Sequence, residues 1–216
     1  KDIQKDTQTD AQTQTQTHND SPKATVWAIV KALHADLRLG VEDAVDPYTF
    51  GKQVSRLGRL ALSAEEVGST KLQDAFLDKL ELALIPWATG KNTDALLYDA
   101  TWGGIVPSIG LADKYADFGS GWYSDHHFHY GYIIYAAAVW AKLRPKSFAP
   151  FKVNFDALVR DICSINRADA FFPYVRHKDF YDGHSWASGL FNQANGKGQE
   201  SSSEAVNAYY AVTLYA

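Results

Sequence analysis

Between Pro47 and Trp87 apolar residues recur at helical spacing in two runs separated only by Gly68 and its neighbours. Phe50, Val54, Leu57, Leu60 with Ala61, Ala64 and Val67 share one face of the first run; Leu72, Phe76, Leu80, Ala83 with Leu84, and Trp87 share one face of the second. A glycine stop and so short a connection fold two helices back on each other as an antiparallel hairpin. An earlier run, Val26, Ile29 with Val30, Leu33 and Leu37, follows Ser21-Pro22, a pair suited to an N-cap and the first helical position, and ends at Gly40. Helices resume at "YIIYAAAVWAKL" (132–143), stopped by Pro145, at "NFDALVRDICSI" (154–165), and at the serines of 201–203. Strand-like alternation is confined to short pieces such as "ALLYDATW", so an all-α array is expected, not an α/β sheet.

Two long stretches break this rhythm. Residues 101–132, "TWGGIVPSIGLADKYADFGSGWYSDHHFHYGY", and residues 166–199 are rich in Gly, His, Tyr and Asp and too long for plain connections, which marks them as functional surface. Both carry candidate site residues and are expected at the same end of the helical array. Residues 1–20 contain five Gln and five Thr with almost nothing apolar, the composition of a disordered tail. Domain organisation is therefore a tail over 1–20 and one helical domain over 21–216. The chain has no Met and begins with Lys, and its last apolar run stops without a helix-ending signal, so a processed chain or fragment is expected.

The balance of 21 basic against 25 acidic residues leaves no basic surface for nucleic acid. No apolar run approaches the roughly 18 residues of a membrane span, and no basic segment leads into an apolar core as in a signal peptide. The single Cys163 rules out an internal disulfide or a multi-thiolate zinc site. Neither a Gly-x-Ser-x-Gly elbow nor a Gly-rich phosphate loop is present, which argues against serine hydrolase and nucleotide chemistry. The 6 Trp, 12 Tyr and 11 Phe, many in polar Gly-rich loops, instead make carbohydrate a candidate ligand.

Within "SDHHFHYGY", His126, His127 and His129 beside Asp125 invite a metal, and on a helix His126 and His129 would share a face. No second ligand group stands at zinc spacing, so no metal or other cofactor is expected. Asp125, in an aromatic-lined loop, is instead placed to be desolvated and to work as an acid. Ser201-x-x-Glu204 fits a capping box, a common helix start. Yet Glu200 and Glu204 are four residues apart and Asn207 continues their edge, so the same segment also reads as part of a site. With Asp125 it offers the two carboxyl groups that glycoside hydrolysis needs.

"DFGSGWYSDHHFHYGYIIYAAAV", "YDGHSWASGL" and "GKGQESSSEAVNAYY", preceded by "DATWGGIVPSIGLADKYADFG", resemble the blocks of glycoside hydrolase family 81, the endo-β-1,3-glucanases, in the family's order. The resemblance runs from about Thr49 to the C-terminus. It implies an inverting hydrolase on an (α/α)6 toroid, of which this chain would supply about half, with a β-sandwich and linking domain in full-length members. It places the general acid on Asp125, the general base on Glu204 and a supporting carboxylate on Glu200. His129, Tyr132, His184 and Asn207 fall at positions that would line the glucan cleft. A monomer acting on laminarin-like or cell-wall β-1,3-glucan, secreted or in the cell wall, follows from that substrate, with a glucan-binding protein without turnover, or an inactive fragment, as the alternative.

Overall fold

The computed structural model describes residues 22–41, 44–190 and 193–216; the expected tail and the Ser21 cap lie outside the described residues. Helix α1 spans Pro22–Asp36, α2 Pro47–Glu66 and α3 Thr70–Ala88. Strands β1 (Leu96–Asp99) and β2 (Gly104–Pro107) form an antiparallel hairpin that pairs Leu96 with Pro107 and Asp99 with Gly104. Helix α4 (Ser108–Ala112) and a kinked 3-10 segment (Ala116–Trp122) lead to α5 (His126–Leu143). Then come α6 (Pro145–Phe148), α7 (Lys152–Cys163) and α8 (Ser202–Tyr215).

The expected α2–α3 hairpin forms as its apolar spacing dictates. Phe50, Val54, Leu57, Ala61 and Ala64 of α2 are buried, as are Leu72, Phe76, Leu80, Leu84 and Trp87 of α3. Asp46 caps α2 by accepting from the Thr49 amide at 2.7 Å, Pro47 takes the first helical position, and Gly68 turns the chain at φ 70°. In α1 the apolar stripe is only partly covered. Leu33 is buried, but Val26 and Ile29 remain exposed.

Helix α5 is the centre of the molecule. It begins at His126, ahead of the expected residue 132, and it is buried on every side, as a helix with apolar and aromatic residues all round must be. The Gly, His and Tyr residues that made 126–131 read as loop are its first turns. Their polar rings are enclosed by other elements, which local sequence does not reveal.

Three helices run in one direction. Going along α2 and α5 together, Gly51 lies against Tyr132, Gly58 against Val139, and Glu65 pairs with Lys142 at 3.3 Å. Along α5 and α8, Tyr132 meets Glu204, Gly131 meets Ala208, and Tyr215 reaches Phe148 just beyond the end of α5. The return helices α3 and α7 lie outside them: Asp161 near the end of α7 bonds His126 at the start of α5, while Phe155 near its beginning packs with Trp140 near the α5 end. Inner helices that are parallel and outer helices that return are the layout of an (α/α) toroid. The N-termini of α2, α5 and α8 consequently gather at one end.

Close approach of the inner helices requires residues without bulk. A Cβ on Gly131 would stand 2.7 Å from both Cα and Cβ of Ala208, and one on Gly51 2.9 Å from the Tyr132 Cβ. Gly131→Ala should therefore force α5 and α8 apart and destabilise the fold by about 1–3 kcal/mol. Urea unfolding would measure this, with Gly40→Ala as the control, since nothing lies within 4 Å of that position.

Candidate active site

Ser201 caps α8, its Oγ accepting from the Glu204 amide at 3.3 Å. The reciprocal half of a capping box does not form. The Glu204 carboxylate turns inward, where Oε1 accepts from the Tyr48 hydroxyl and the Tyr132 hydroxyl, each at 2.9 Å. One helix start thus holds a cap and a site carboxylate together. Burial, followed by the bond to Glu204, raises both phenols above their ordinary range, so they stay protonated and keep donating.

Asp125 is the residue before α5, with φ 60° and ψ 12°. Its amide donates to the Ala187 carbonyl at 2.9 Å, and its own carbonyl accepts from Phe128 and His129 at 2.8 and 3.0 Å. Its side chain makes no capping bond and is 9% exposed. Burial first, and then the charges of Glu200 and Glu204, pushes the carboxyl up to about 7. Glu200 has φ 60° as well. Left-handed backbone is unfavourable for residues with a Cβ and clusters where function requires it. The two irregular stretches are joined directly at this end, since Leu190 donates to the Trp122 carbonyl at 2.7 Å and the Asp125 amide to the Ala187 carbonyl.

His129 lies beside Glu204's partners, its ring 5.2 Å from Tyr48 and 5.9 Å from Phe118. Burial and the nearby imidazoles lower it to about 3, so it is neutral, and its Nδ1 is buried without a partner. Asn207 sits on the Glu204 face of α8, with its Nδ2 likewise buried and unpaired. His184 is placed elsewhere. Its ring packs edge-on against Trp186 at 4.4 Å and lines a groove with Ser202, Val206 and Tyr209, the side of α8 turned away from Glu204.

The three adjacent histidines do not converge. His126 places Nδ1 2.6 Å from the Asp161 carboxylate and Nε2 2.7 Å from the Ser120 carbonyl, whereas His127 stacks on His177 at 4.4 Å. Although His126 and His129 are three apart on one helix, they face different neighbours. Among the described residues no group of three His, Cys, Asp or Glu is arranged to hold a metal ion, and no helix is long and apolar enough to cross a membrane.

Residues 19–216 match the model of the glycosyl hydrolase family 81 C-terminal domain. The chain belongs to glycoside hydrolase family 81. Among family 81 relatives it is 38% identical over 191 residues to a glucan endo-1,3-beta-D-glucosidase of Acetivibrio thermocellus, a match covering 85% of this chain and 23% of that protein. It is 37% identical over 174 residues to the primary septum glucan endo-1,3-beta-D-glucosidase of Schizosaccharomyces pombe, covering 78% and 17%, and 36% identical over 191 residues to a glucan endo-1,3-beta-D-glucosidase of Glycine max, covering 86% and 29%. The solved structure of glycoside hydrolase family 81 from Clostridium thermocellum superposes with a TM-score of 0.74 at 33% identity, over 90% of this chain and 27% of that one. This family 81 chain therefore spans between 17% and 29% of these relatives' length.

Two features of this family 81 site were not anticipated from sequence. Tyr48 reaches Glu204 across 156 positions of chain. Asp161, fully buried, fastens His126, the Ile105 amide and Arg176, and so fixes the start of α5 from below. Neither residue has a neighbouring motif; each acquires its place only through helix packing.

Proposed function

We propose that this chain carries the acid and base of a β-1,3-glucan hydrolase that inverts configuration at the anomeric carbon. The observation that supports this best is the pairing of two unlike carboxyl groups. Asp125 is held up to about 7 by burial and by Glu200 and Glu204, while the Glu204 carboxylate is oriented by two phenols. One group is then a proton donor at neutral pH and the other an acceptor, the division of roles that glycoside hydrolysis requires.

In this reading Asp125 gives its proton to the glycosidic oxygen as the C1–O bond breaks. Glu204 takes a proton from the water that attacks C1 from the opposite face, giving a hemiacetal of α configuration and a free hydroxyl on the departing sugar. Inversion needs the two carboxyl groups about 6.5 to 9.5 Å apart, wide enough for that water. Glu200 keeps Asp125 protonated by its charge; His129, Tyr132 and Asn207 face the sugar with neutral donors and an aromatic wall. The named activities of the relatives supply the substrate class, and the same substrate suggests action outside the cell or at the wall.

Proton NMR of laminarin hydrolysis tests the assignment. The first product should be the α-anomer, and a β-anomer would overturn Glu204 as base. The rate should fall about tenfold per pH unit above about 7, as Asp125 loses its proton. A second reading, glucan binding without turnover by this chain alone, is favoured by the exposed stripe Val206, Tyr210 and Leu214 on α8, a face left for further packing. Reducing-sugar release by this chain, beside a chain completed to the relatives' length, separates the two.

A further inference from the structure

We propose that the hydrogen bond from the Tyr123 hydroxyl to Asp99 holds the left-handed turn that seats Asp125, which makes Tyr123 a positioning residue for the proton donor. The role of Asp125 as donor rests on the hydrolase reading above; the tether itself does not.

Two of the three residues that lead into α5 have left-handed backbone, Tyr123 at φ 63° and ψ 20° and Asp125 at φ 60° and ψ 12°. Aspartate enters that region with little help, but a bulky residue such as tyrosine stays there only when its surroundings hold it. The Asp125 side chain makes no capping bond to α5. Its direction therefore comes from the backbone of this turn. On the α5 side that backbone is fixed by the Asp125 amide, which donates to the Ala187 carbonyl at 2.9 Å, and by the Asp125 carbonyl, which accepts from His129 at 3.0 Å. On the other side the anchor is the ring of Tyr123.

The β-hairpin is shaped to receive that ring. Tyr123 is 1% exposed, and its hydroxyl donates to Asp99 Oδ2 at 2.8 Å. Asp99, the last residue of β1, pairs with Gly104, the first of β2. A Cβ on Gly104 would collide with the Tyr123 ring, so one member of the pair supplies the acceptor and the other supplies the space. The Arg176 guanidinium lies over the ring at 4.1 Å and donates to the Gly103 carbonyl at 2.6 Å, which ties the cover of the ring to the same hairpin turn. The His126 ring packs against it at 4.9 Å. A phenyl ring would fill the same space, but only the hydroxyl fastens it to the strand.

The tether keeps its charge state near neutral pH. Burial alone would raise Asp99, but the Tyr123 hydroxyl and the Thr101 amide outweigh that and hold it below the ordinary carboxylate range. Burial, and then Asp99, raises the Tyr123 phenol, with Arg176 opposing the rise and Asp161 adding to it. Donor and acceptor are thus fixed. The influences on Asp125 are different ones, burial first and then the charges of Glu200 and Glu204. A turn that relaxes brings the carboxyl group toward water, weakens the first of these causes and lowers Asp125 toward the ordinary carboxylate range.

The test is Tyr123→Phe, which keeps the buried ring and its Arg176 contact and removes the hydroxyl alone. Carbon-13 NMR titration of the Asp125 carboxyl group in this chain should give a midpoint of about 7 without substitution, and one about a unit lower in Tyr123→Phe. Asp99→Ala should lower it similarly, and adding Tyr123→Phe to Asp99→Ala should lower it no further, because both act through one bond. Tyr98→Phe, which removes another hydroxyl of the hairpin and its bond to the Phe171 carbonyl, should leave the midpoint where it is. In a chain completed to the relatives' length, Tyr123→Phe should lower kcat on laminarin roughly 10- to 100-fold with KM nearly unchanged, and should move the alkaline fall of the rate downward with the Asp125 midpoint. A hydroxyl that only stabilised the fold would not move that limb. An Asp125 midpoint that ignores Tyr123→Phe, one that falls equally in Tyr98→Phe, or a Tyr123→Phe effect that persists in full in the Asp99→Ala chain would overturn the proposal. Midpoints that follow the expected pattern while Asp125→Asn leaves laminarin hydrolysis intact would retain the tether and overturn Asp125 as proton donor.

Discussion

Glu204→Gln should reduce laminarin hydrolysis by roughly 10²–10⁴-fold or more in the catalytically complete protein, while changing glucan affinity little. The amide is nearly the same size as the carboxylate, and its oxygen can still accept from Tyr48 and Tyr132, so the wall of the cleft stays as it is. What disappears is the ability to take a proton from water. Asp125→Asn should produce the same pattern from the other side, since the amide fills the buried position without a proton to give. Calorimetric titration with a laminari-oligosaccharide beside steady-state rates measures both quantities. Near-normal turnover in either variant would remove that residue from the chemistry, and parallel loss of affinity would reassign it to binding.

Asp161→Ala should be the most damaging single change to the fold. The carboxylate is fully buried and accepts from His126 at 2.6 Å, from the Ile105 amide at 2.9 Å and from Arg176 at 3.4 Å. Burial alone would raise its pKa, but His126, Arg176 and the Ile105 amide outweigh that and hold it below the ordinary carboxylate range. Removing it leaves buried donors facing a gap, which costs about 3–5 kcal/mol, against a total stability of about 5–15 kcal/mol for a domain. Urea unfolding should show the loss directly. Glu65→Ala, which removes an exposed pair with Lys142, should shift the same transition by no more than about 1 kcal/mol. An unchanged midpoint for Asp161→Ala would mean that the buried network contributes nothing to holding the start of α5.

The local chemistry of this chain was legible before its structure. Apolar spacing located α2, α3, α7 and α8, since a helix needs only one apolar residue per turn on a shared face. The serines before Glu204 identified the start of α8, and the aromatic loop around Asp125 pointed to a carboxyl group in a desolvated place. Position 126 as the beginning of α5 was not legible. A run of His, Tyr and Gly resembles a loop unless other elements supply partners for its rings, and here Asp161, His177, Tyr48 and Phe118 do so from four separate parts of the chain.

Whether Ser201 and Glu204 formed a closed capping box or opened toward a cleft was also undecided by sequence, because both arrangements begin with the same spacing. The outcome depended on Tyr48 and Tyr132 arriving with hydroxyl groups where the carboxylate could reach them. That arrival follows from three parallel inner helices packed closely through Gly51, Gly131 and Ala208. Sequence by itself determined that α2, α3, α7 and α8 are helical and that serines stand at the beginning of α8, since those are properties of neighbours along the chain. Tertiary structure alone decided which helix beginnings meet, and with them the partners of Glu204 and the burial of Asp125, because desolvation and charge depend on distance in space and not along the chain.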